Sequence, residues 1–389
     1  MIFIWSTVLV IGILVFVHEL GHYLAARSVG VRVEKFSIGF PPRFITLTSV
    51  DNGFDVTIFF FRFLKGSLSW KPIINTHINL KGRIGTGTEY VVALIPLGGY
   101  VKMAGALDES LDTIITNAPD EFMSKSTPQK IWILSAGVLM NIFTAFILFT
   151  GITYYQGIIE SSNEPIINEL IVDKPAEKAG LEKGDEVFSI NSERVYKWSD
   201  LSKIINSLPD SQIEMQILRD GEMLEFSLET THYLIPGEDG IDTIGVIGIR
   251  PEYYYSSVNF IESLTYGYNG IINSFGMITL TFKMLGSGQA SLKDLGGPIM
   301  IGQIAGETAK AGWIPLMNFM ALISINLAFL NILPIPGLDG GHIFIILIES
   351  IIRRPLSLKS RMVIQQIGMV FLLGLMVTVM FNDVSRLFN

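Results

Sequence analysis

The chain has 389 residues, 49% of them apolar and 16% charged, with a net charge of −8 and no cysteine. A soluble domain carries about 25% charged residues, so this composition, with a mean hydropathy of +0.46, favours a membrane class. The acidic balance argues against nucleic acid as a partner, and the lack of cysteine excludes disulfides, thiol catalysis and thiolate metal sites.

Residues 1–28 read as a first transmembrane helix. The opening MIFIWS has no basic n-region and no convincing cleavage site, so a retained helix is expected rather than a removed leader. Inside it lies His18-Glu19-Leu20-Gly21-His22. Residues four apart on a helix share a face, so His18 and His22 can aim imidazole nitrogens at one ion. Glu19 can then take a proton from water that the ion activates. Ionisable groups in an apolar span cost roughly 2.5–3.5 kcal/mol or more each. A divalent cation compensates all three, whereas a bland pair of hydrogen-bonded core histidines leaves Glu19 unexplained.

Residues 29–129 are expected to form a cytoplasmic-side loop with a membrane-associated β-region. Phe54–Phe63 has strand character, and Tyr90–Met103 is apolar but broken by Pro96, Gly98 and Gly99, which suggests a β-hairpin against the membrane-embedded core. Residues 130–157 read as a second transmembrane helix. Residues 158–253 read as a soluble α/β domain, with a helix near Leu201–Leu208 and strands near Glu214–Leu218 and Leu224–Glu229. Residues 254–312 are expected to be amphipathic or interfacial, with Val258–Leu285 lying at the interface or packed on the bundle.

Residues 313–352 form a third membrane segment too long and too rich in proline and glycine for one straight helix. Asp339 is the only acidic residue between Lys310 and Glu349, hence an intramembrane carboxylate beside an unwound stretch at Pro334, Pro336 and Gly337. It is a candidate third metal ligand, with His342 as competitor. His77 and His232 fall in soluble segments and read as surface residues. Residues 353–389 comprise a basic loop and a fourth transmembrane helix. Arg27, Arg32, Lys35, Lys125 and Lys130 border the first loop, and Arg353, Arg354, Lys359 and Arg361 crowd the last. The positive-inside rule makes both loops cytoplasmic and the α/β domain extracytoplasmic.

The pairing of His18-Glu19-Leu20-Gly21-His22 with Asn331…Pro334-x-Pro336-x-Leu338-Asp339-Gly340 resembles the site-2 protease family of intramembrane zinc metalloproteases, most closely its bacterial sigma-E-regulator type. Ile95–Met103 is similar to that family's membrane-associated β-region, Lys174–Asn191 resembles a PDZ core, and the tail Phe381–Arg386 matches as well. The resemblance implies a polytopic α-helical membrane protein of about four transmembrane helices, with a membrane-associated β-region and one extracytoplasmic α/β PDZ domain. It implies Zn2+ held by His18, His22 and Asp339, with Glu19 as the base. It also makes Asn331, Asn326, Asn141, Gly98 and Gly99 substrate-binding candidates. Asn141 closes the run Gly137-Val-Leu-Met-Asn141, in which Val138 replaces the family's proline, and Gly39-Phe-Pro-Pro42 departs from the family's Gly-Phe-Gly-Pro. The expected partners are the lipid bilayer and single-span membrane proteins, such as an anti-sigma factor or leftover signal peptides, with a peptide or C-terminus at the PDZ domain. The expected location is the bacterial inner membrane. The rival readings are a catalytically inactive PDZ-bearing scaffold and a transporter, the latter disfavoured because no inverted repeat is found.

Overall fold

The computed structural model describes residues 2–64, 67–106, 116–236, 241–291, 293 and 295–388. The chain divides into two compact units, one of residues 1–150, 265–276 and 291–389, the other of residues 151–264 and 277–290.

The first unit opens with helix α1 (Ile2–Ser28), whose only acidic residue is Glu19. Four strands follow: β1 (Val33–Val50), β2 (Gly53–Leu64), β3 (Ser67–Asn79) and β4 (Glu89–Met103). They form an antiparallel sheet in the order β3-β2-β1-β4. The β1–β2 hairpin turns at Asp51-Asn52, where Asn52 takes a φ of 61°, a left-handed conformation that asparagine tolerates. The stretch expected to be a hairpin at Tyr90–Met103 is instead one bent strand, β4. Residues 99–103 pair with 33–38 of β1, while residues 89–92 pair both with 35–38 and with 45–48 of β1. The bend lies at Pro96–Gly98, where proline has no N–H to give to a ladder. Helix α2 (Thr127–Gln156) follows.

The second unit holds β5 (Ile158–Ser161), β6 (Glu169–Leu170), α3 (Pro175–Lys178), β7 (Glu186–Ile190), β8 (Glu193–Arg194), α4 (Trp198–Asn206), β9 (Gln212–Arg219), β10 (Glu222–Glu229), β11 (Thr231–Pro236), β12 (Ile241–Val246), β13 (Ile249–Arg250) and β14 (Tyr253–Ser256). A four-stranded sheet runs β10-β9-β7-β8, and three two-stranded ribbons pair β11 with β12, β13 with β6 and β14 with β5. Strand β9 alternates, sending Ile213, Met215 and Ile217 into a core with Ile167, Val187, Leu201 and Ile205. Buried Asp185 accepts two hydrogen bonds from Arg219, from Nε at 2.7 Å and Nη2 at 2.8 Å. A cavity of about 390 Å³ is lined by Leu201 and Ile205 of α4 and by Ile247 and Ile249.

The remaining helices are α5 (Phe260–Gly286), α6 (Pro298–Ala311), α7 (Trp313–Ile332), α8 (Asp339–Ile352) and α9 (Leu358–Phe388). Helix α5 starts with a reciprocal cap: Asn259 Oδ1 accepts from the Glu262 amide, and Glu262 accepts from the Asn259 amide. Four helices among the described residues are long and apolar enough to cross a membrane: α1, α2, α7 and residues 359–386 of α9. Helix α5 is not one of them. Only 6% of the apolar window in α9 is buried, so most of that surface requires lipid rather than water. The expected third membrane segment divides into α7 and α8 around residues 333–338. The Phe381–Arg386 tail has a structural use. Asp383 of α9 accepts from the amides of Gly297 (2.9 Å), Ile299 (2.9 Å) and Met300 (3.2 Å), capping α6 from a distant helix.

Candidate metal centre

The site is built where α1, α2 and the start of α8 converge in the first unit. The four-residue spacing brings His18 and His22 to one face of α1, with Nε2 atoms 3.1 Å apart. Helix α2 can approach this face only because two positions lack a side chain. A Cβ on Gly21 would overlap the Ala136 carbonyl, and a Cβ on Gly137 would sit 2.5 Å from His22 Nε2 and 2.7 Å from His18 Cε1. Asp339 occupies the first turn of α8, where a carboxylate is favoured by the helix dipole. The helix restarts there because Pro334 and Pro336 cannot continue α7.

Asp339 Oδ2 lies 3.1 Å from His18 Nε2 and 3.3 Å from His22 Nε2. The three donor atoms therefore make a nearly equilateral triangle. A tetrahedral ion with bonds of about 2.0–2.1 Å separates its ligands by about 3.3–3.4 Å, so the triangle is close to the base of a zinc tetrahedron. Asp339 Oδ2 is buried and receives no hydrogen bond. His18 and His22 are 8% and 6% exposed. An uncompensated carboxylate in such a place is costly, and a cation is the compensation this donor set fits. His22 Nδ1 lies 2.8 Å from the Ile133 carbonyl. It donates there, so the neutral ring carries its proton at Nδ1 and keeps the Nε2 lone pair for an ion.

His18, Glu19, His22 and Asp339 line one cavity of about 380 Å³. Glu19 is half-buried in that wall, and a Cβ on Gly99 would lie 3.4 Å from its Cγ. Of the other sequence-derived candidates, Asn331, Asn141 and Gly99 line the cavity. Asn326 is exposed on α7 and is not brought to it. Gly98 stands beside the Phe40 ring rather than in the lining. His342 lines the cavity but stands outside the three-ligand cluster. His77 and His232 are exposed and pair with Asp55 and Asp210.

Sequence reasoning did not place Gly137, Arg361 or Gln365 at the site. Gly137 lies four residues before Asn141 and so on the same face of α2, a signal that was available. Arg361 and Gln365 also line the cavity. Arg361 is held by Glu349 through Nε at 2.9 Å and Nη2 at 2.5 Å. No local pattern in the sequence announces that contact.

The model of peptidase family M50 matches residues 6–68 and 74–375. A candidate zinc metalloprotease of Campylobacter jejuni is 34% identical over 392 residues, covering 98% of this chain and 93% of the relative. A Rickettsia conorii protein of the same description is 31% identical over 399 residues, covering the whole of both chains. The regulator of sigma-W protease RasP of Bacillus subtilis is 28% identical over 420 residues, covering 98% of each chain. With the membrane helices and the converging donor set, these matches establish that the chain belongs to peptidase family M50, the site-2 proteases, and is a zinc metalloprotease of the multi-pass membrane class.

Proposed function

We propose that the chain hydrolyses peptide bonds within or near the transmembrane segments of single-span membrane proteins. The observation that carries this reading is the triangle of His18 Nε2, His22 Nε2 and Asp339 Oδ2 in a cavity that Glu19 also lines. In this reading His18, His22 and Asp339 hold the zinc. Bound there, zinc supplies Lewis-acid activation of water and of the scissile carbonyl. The Glu19 carboxylate takes the proton from the attacking water and delivers it to the leaving amide nitrogen. Asn331 and Gly99, which both line the cavity, hold the substrate backbone.

A helical substrate hydrogen-bonds its own amides, so the scissile bond must first be unwound. Strand β4 is suited to this task. Among the described residues its limb 99–103 pairs only with residues 33–38 of β1, so the other edge of that limb is available for strand addition. Its Gly99, Tyr100 and Val101 line the catalytic cavity. A substrate paired on that edge is extended where it meets Glu19.

Residues 158–253, within the second unit, act as an extracytoplasmic PDZ domain that reads a peptide or C-terminus. Support comes from its α/β make-up and from the apolar cavity beside α4, which has the size of a small ligand site. The domain boundaries are proposed as read from the sequence, with the PDZ domain at residues 158–253, basic loops in the cytoplasm of a bacterial cell and the chain in its inner membrane. An anti-sigma factor is a fitting substrate, since the Bacillus subtilis relative is named as a regulator of sigma-W. Remnant signal peptides are the other class.

The test is reconstitution into lipid vesicles with single-span substrates of both classes, native chain against Glu19→Gln. Cleavage within the membrane segment by the native chain alone is expected. Equal cleavage by both would remove Glu19 as the base, and no cleavage of any single-span substrate would remove the intramembrane reading.

A further inference from the structure

His22 has a fixed tautomer partner in the Ile133 carbonyl, whereas His18 has a different neighbour. Its Nδ1 faces only a side-chain amide, Asn141 Nδ2 of α2, at 3.3 Å. Asn141 is fully buried, and its Oδ1 has no hydrogen-bond partner. Its backbone is pinned, because buried Ser324 of α7 donates to the Asn141 carbonyl at 2.8 Å. The amide thus sits in a buried, fixed place with one face on His18.

The amide has two orientations of the same shape, related by a half-turn about Cβ–Cγ. With Nδ2 toward His18, the amide donates to Nδ1, and a neutral ring must carry its proton on Nε2, the atom that faces Asp339 and His22. A protonated Nε2 cannot be a ligand. With Oδ1 toward His18, the amide accepts from Nδ1–H and leaves the Nε2 lone pair free. The first orientation leaves Oδ1 where no donor reaches it, so the turn breaks no hydrogen bond at that end of the amide. Metal-ligating histidines donate their second ring N–H to just such an oxygen.

We propose that Asn141 is the positioning residue of His18: its Oδ1 accepts the Nδ1–H, fixes the ligating tautomer and sets the ring plane. The assignment rests on the zinc reading above, and it gives Asn141 a partner within the site rather than the substrate contact expected from sequence. The route of contact is α7 to α2 to α1, through Ser324, Asn141 and His18.

The test measures zinc affinity of the full-length chain in detergent micelles by competition with a chromophoric chelator, and KM for a single-span substrate. Asn141→Leu keeps the volume and removes the acceptor. It is expected to weaken zinc binding about 10- to 100-fold. Asn141→Asp keeps an acceptor at the same place and completes a carboxylate–histidine–zinc arrangement, so it is expected to stay within about 10-fold of native. The absorption spectrum of the cobalt-loaded chain should change with Leu and be restored with Asp. Native zinc affinity in Asn141→Leu with a raised KM would assign Asn141 to substrate and overturn the proposal. Equal loss in the Leu and Asp variants would make its role one of helix packing and overturn it too. His18→Ala serves as the control. If the native chain binds zinc no better than His18→Ala, the ligand assignment fails, and this inference falls with it.

Discussion

Glu19 precedes His22 by three residues, so it lies near their face of the helix and lines the same cavity without being one of the three clustered donors. Removing its charge should therefore leave the donor triangle intact. Glu19→Gln is expected to retain zinc, measured by metal analysis, while kcat falls about 10²- to 10⁴-fold, the range for a general base. Gly137 makes the opposite prediction. A Cβ there would lie 2.5 Å from His22 Nε2, and α2 cannot withdraw without losing the Asn141 and Ile133 contacts to the histidines. Gly137→Ala is expected to abolish zinc retention while the helices still form, read by metal analysis alongside circular dichroism. Full zinc content in that variant would show that α2 is free to shift.

Among the elements, β4 carries the most specific expectation. The open edge of its limb 99–103 and its Gly99–Val101 segment in the cavity wall suit it to pair with substrate. Proline at Tyr100 removes one ladder N–H. Cleavage of a helical transmembrane substrate should fall much further than cleavage of an already extended peptide of the same sequence. An equal loss on both would mean that β4 merely shapes the cavity. The loop leading into α2 has its own electrostatic clasp. Arg32 Nε donates to Asp120 at 2.8 Å, and that hydrogen bond holds the Asp120 carboxyl below its ordinary range. Glu121 is lowered in the same way, first by its bond from Thr116. A carboxyl whose pKa is depressed on folding stabilises the fold above its unfolded pKa and loses that contribution as the pH falls. Loop 116–126 should hence stay protected from hydrogen exchange at neutral pH and loosen below about pH 4, before the second unit's apolar core opens.

For the molecule as a whole, two compact units predict two separable stabilities. In the second unit the Arg219–Asp185 pair stands beside a core of apolar side chains. Asp185 is 1% exposed, so Arg219→Ala leaves a buried carboxylate without its countercharge, with only the Glu182 amide still donating to it at 2.8 Å. The expected loss is about 3 kcal/mol from the unfolding of that unit, followed by denaturant titration, with zinc content unchanged. Treating the intact chain with a chelator should act on the other unit. Proteolysis is expected to stop and to return on adding zinc, while the second unit's unfolding midpoint stays where it was.

Much of this was legible in the chain itself, because the signals were local. Helical spacing puts His18, Glu19 and His22 together whatever surrounds them, and a run of apolar residues long enough for a bilayer declares a span without reference to its neighbours. Asp339 stood out because a lone carboxylate in such a run needs a reason. The sequence likewise foretold α4, β9 and β10 of the second unit. What required the folded chain was every relation between segments remote in sequence. That Asp339 Oδ2 closes a triangle on two histidines more than 300 residues away depends on where α7 breaks and how α8 restarts. Strand β4 reads locally as a hairpin, because proline and glycine interrupt it, yet β1 supplies a partner along both limbs and makes it one bent strand. Asn141 and Asn326 are equally polar residues in apolar helices. Helix packing alone buries the first against His18 and leaves the second exposed, since a side chain's direction around a helix means nothing until a neighbour occupies one face.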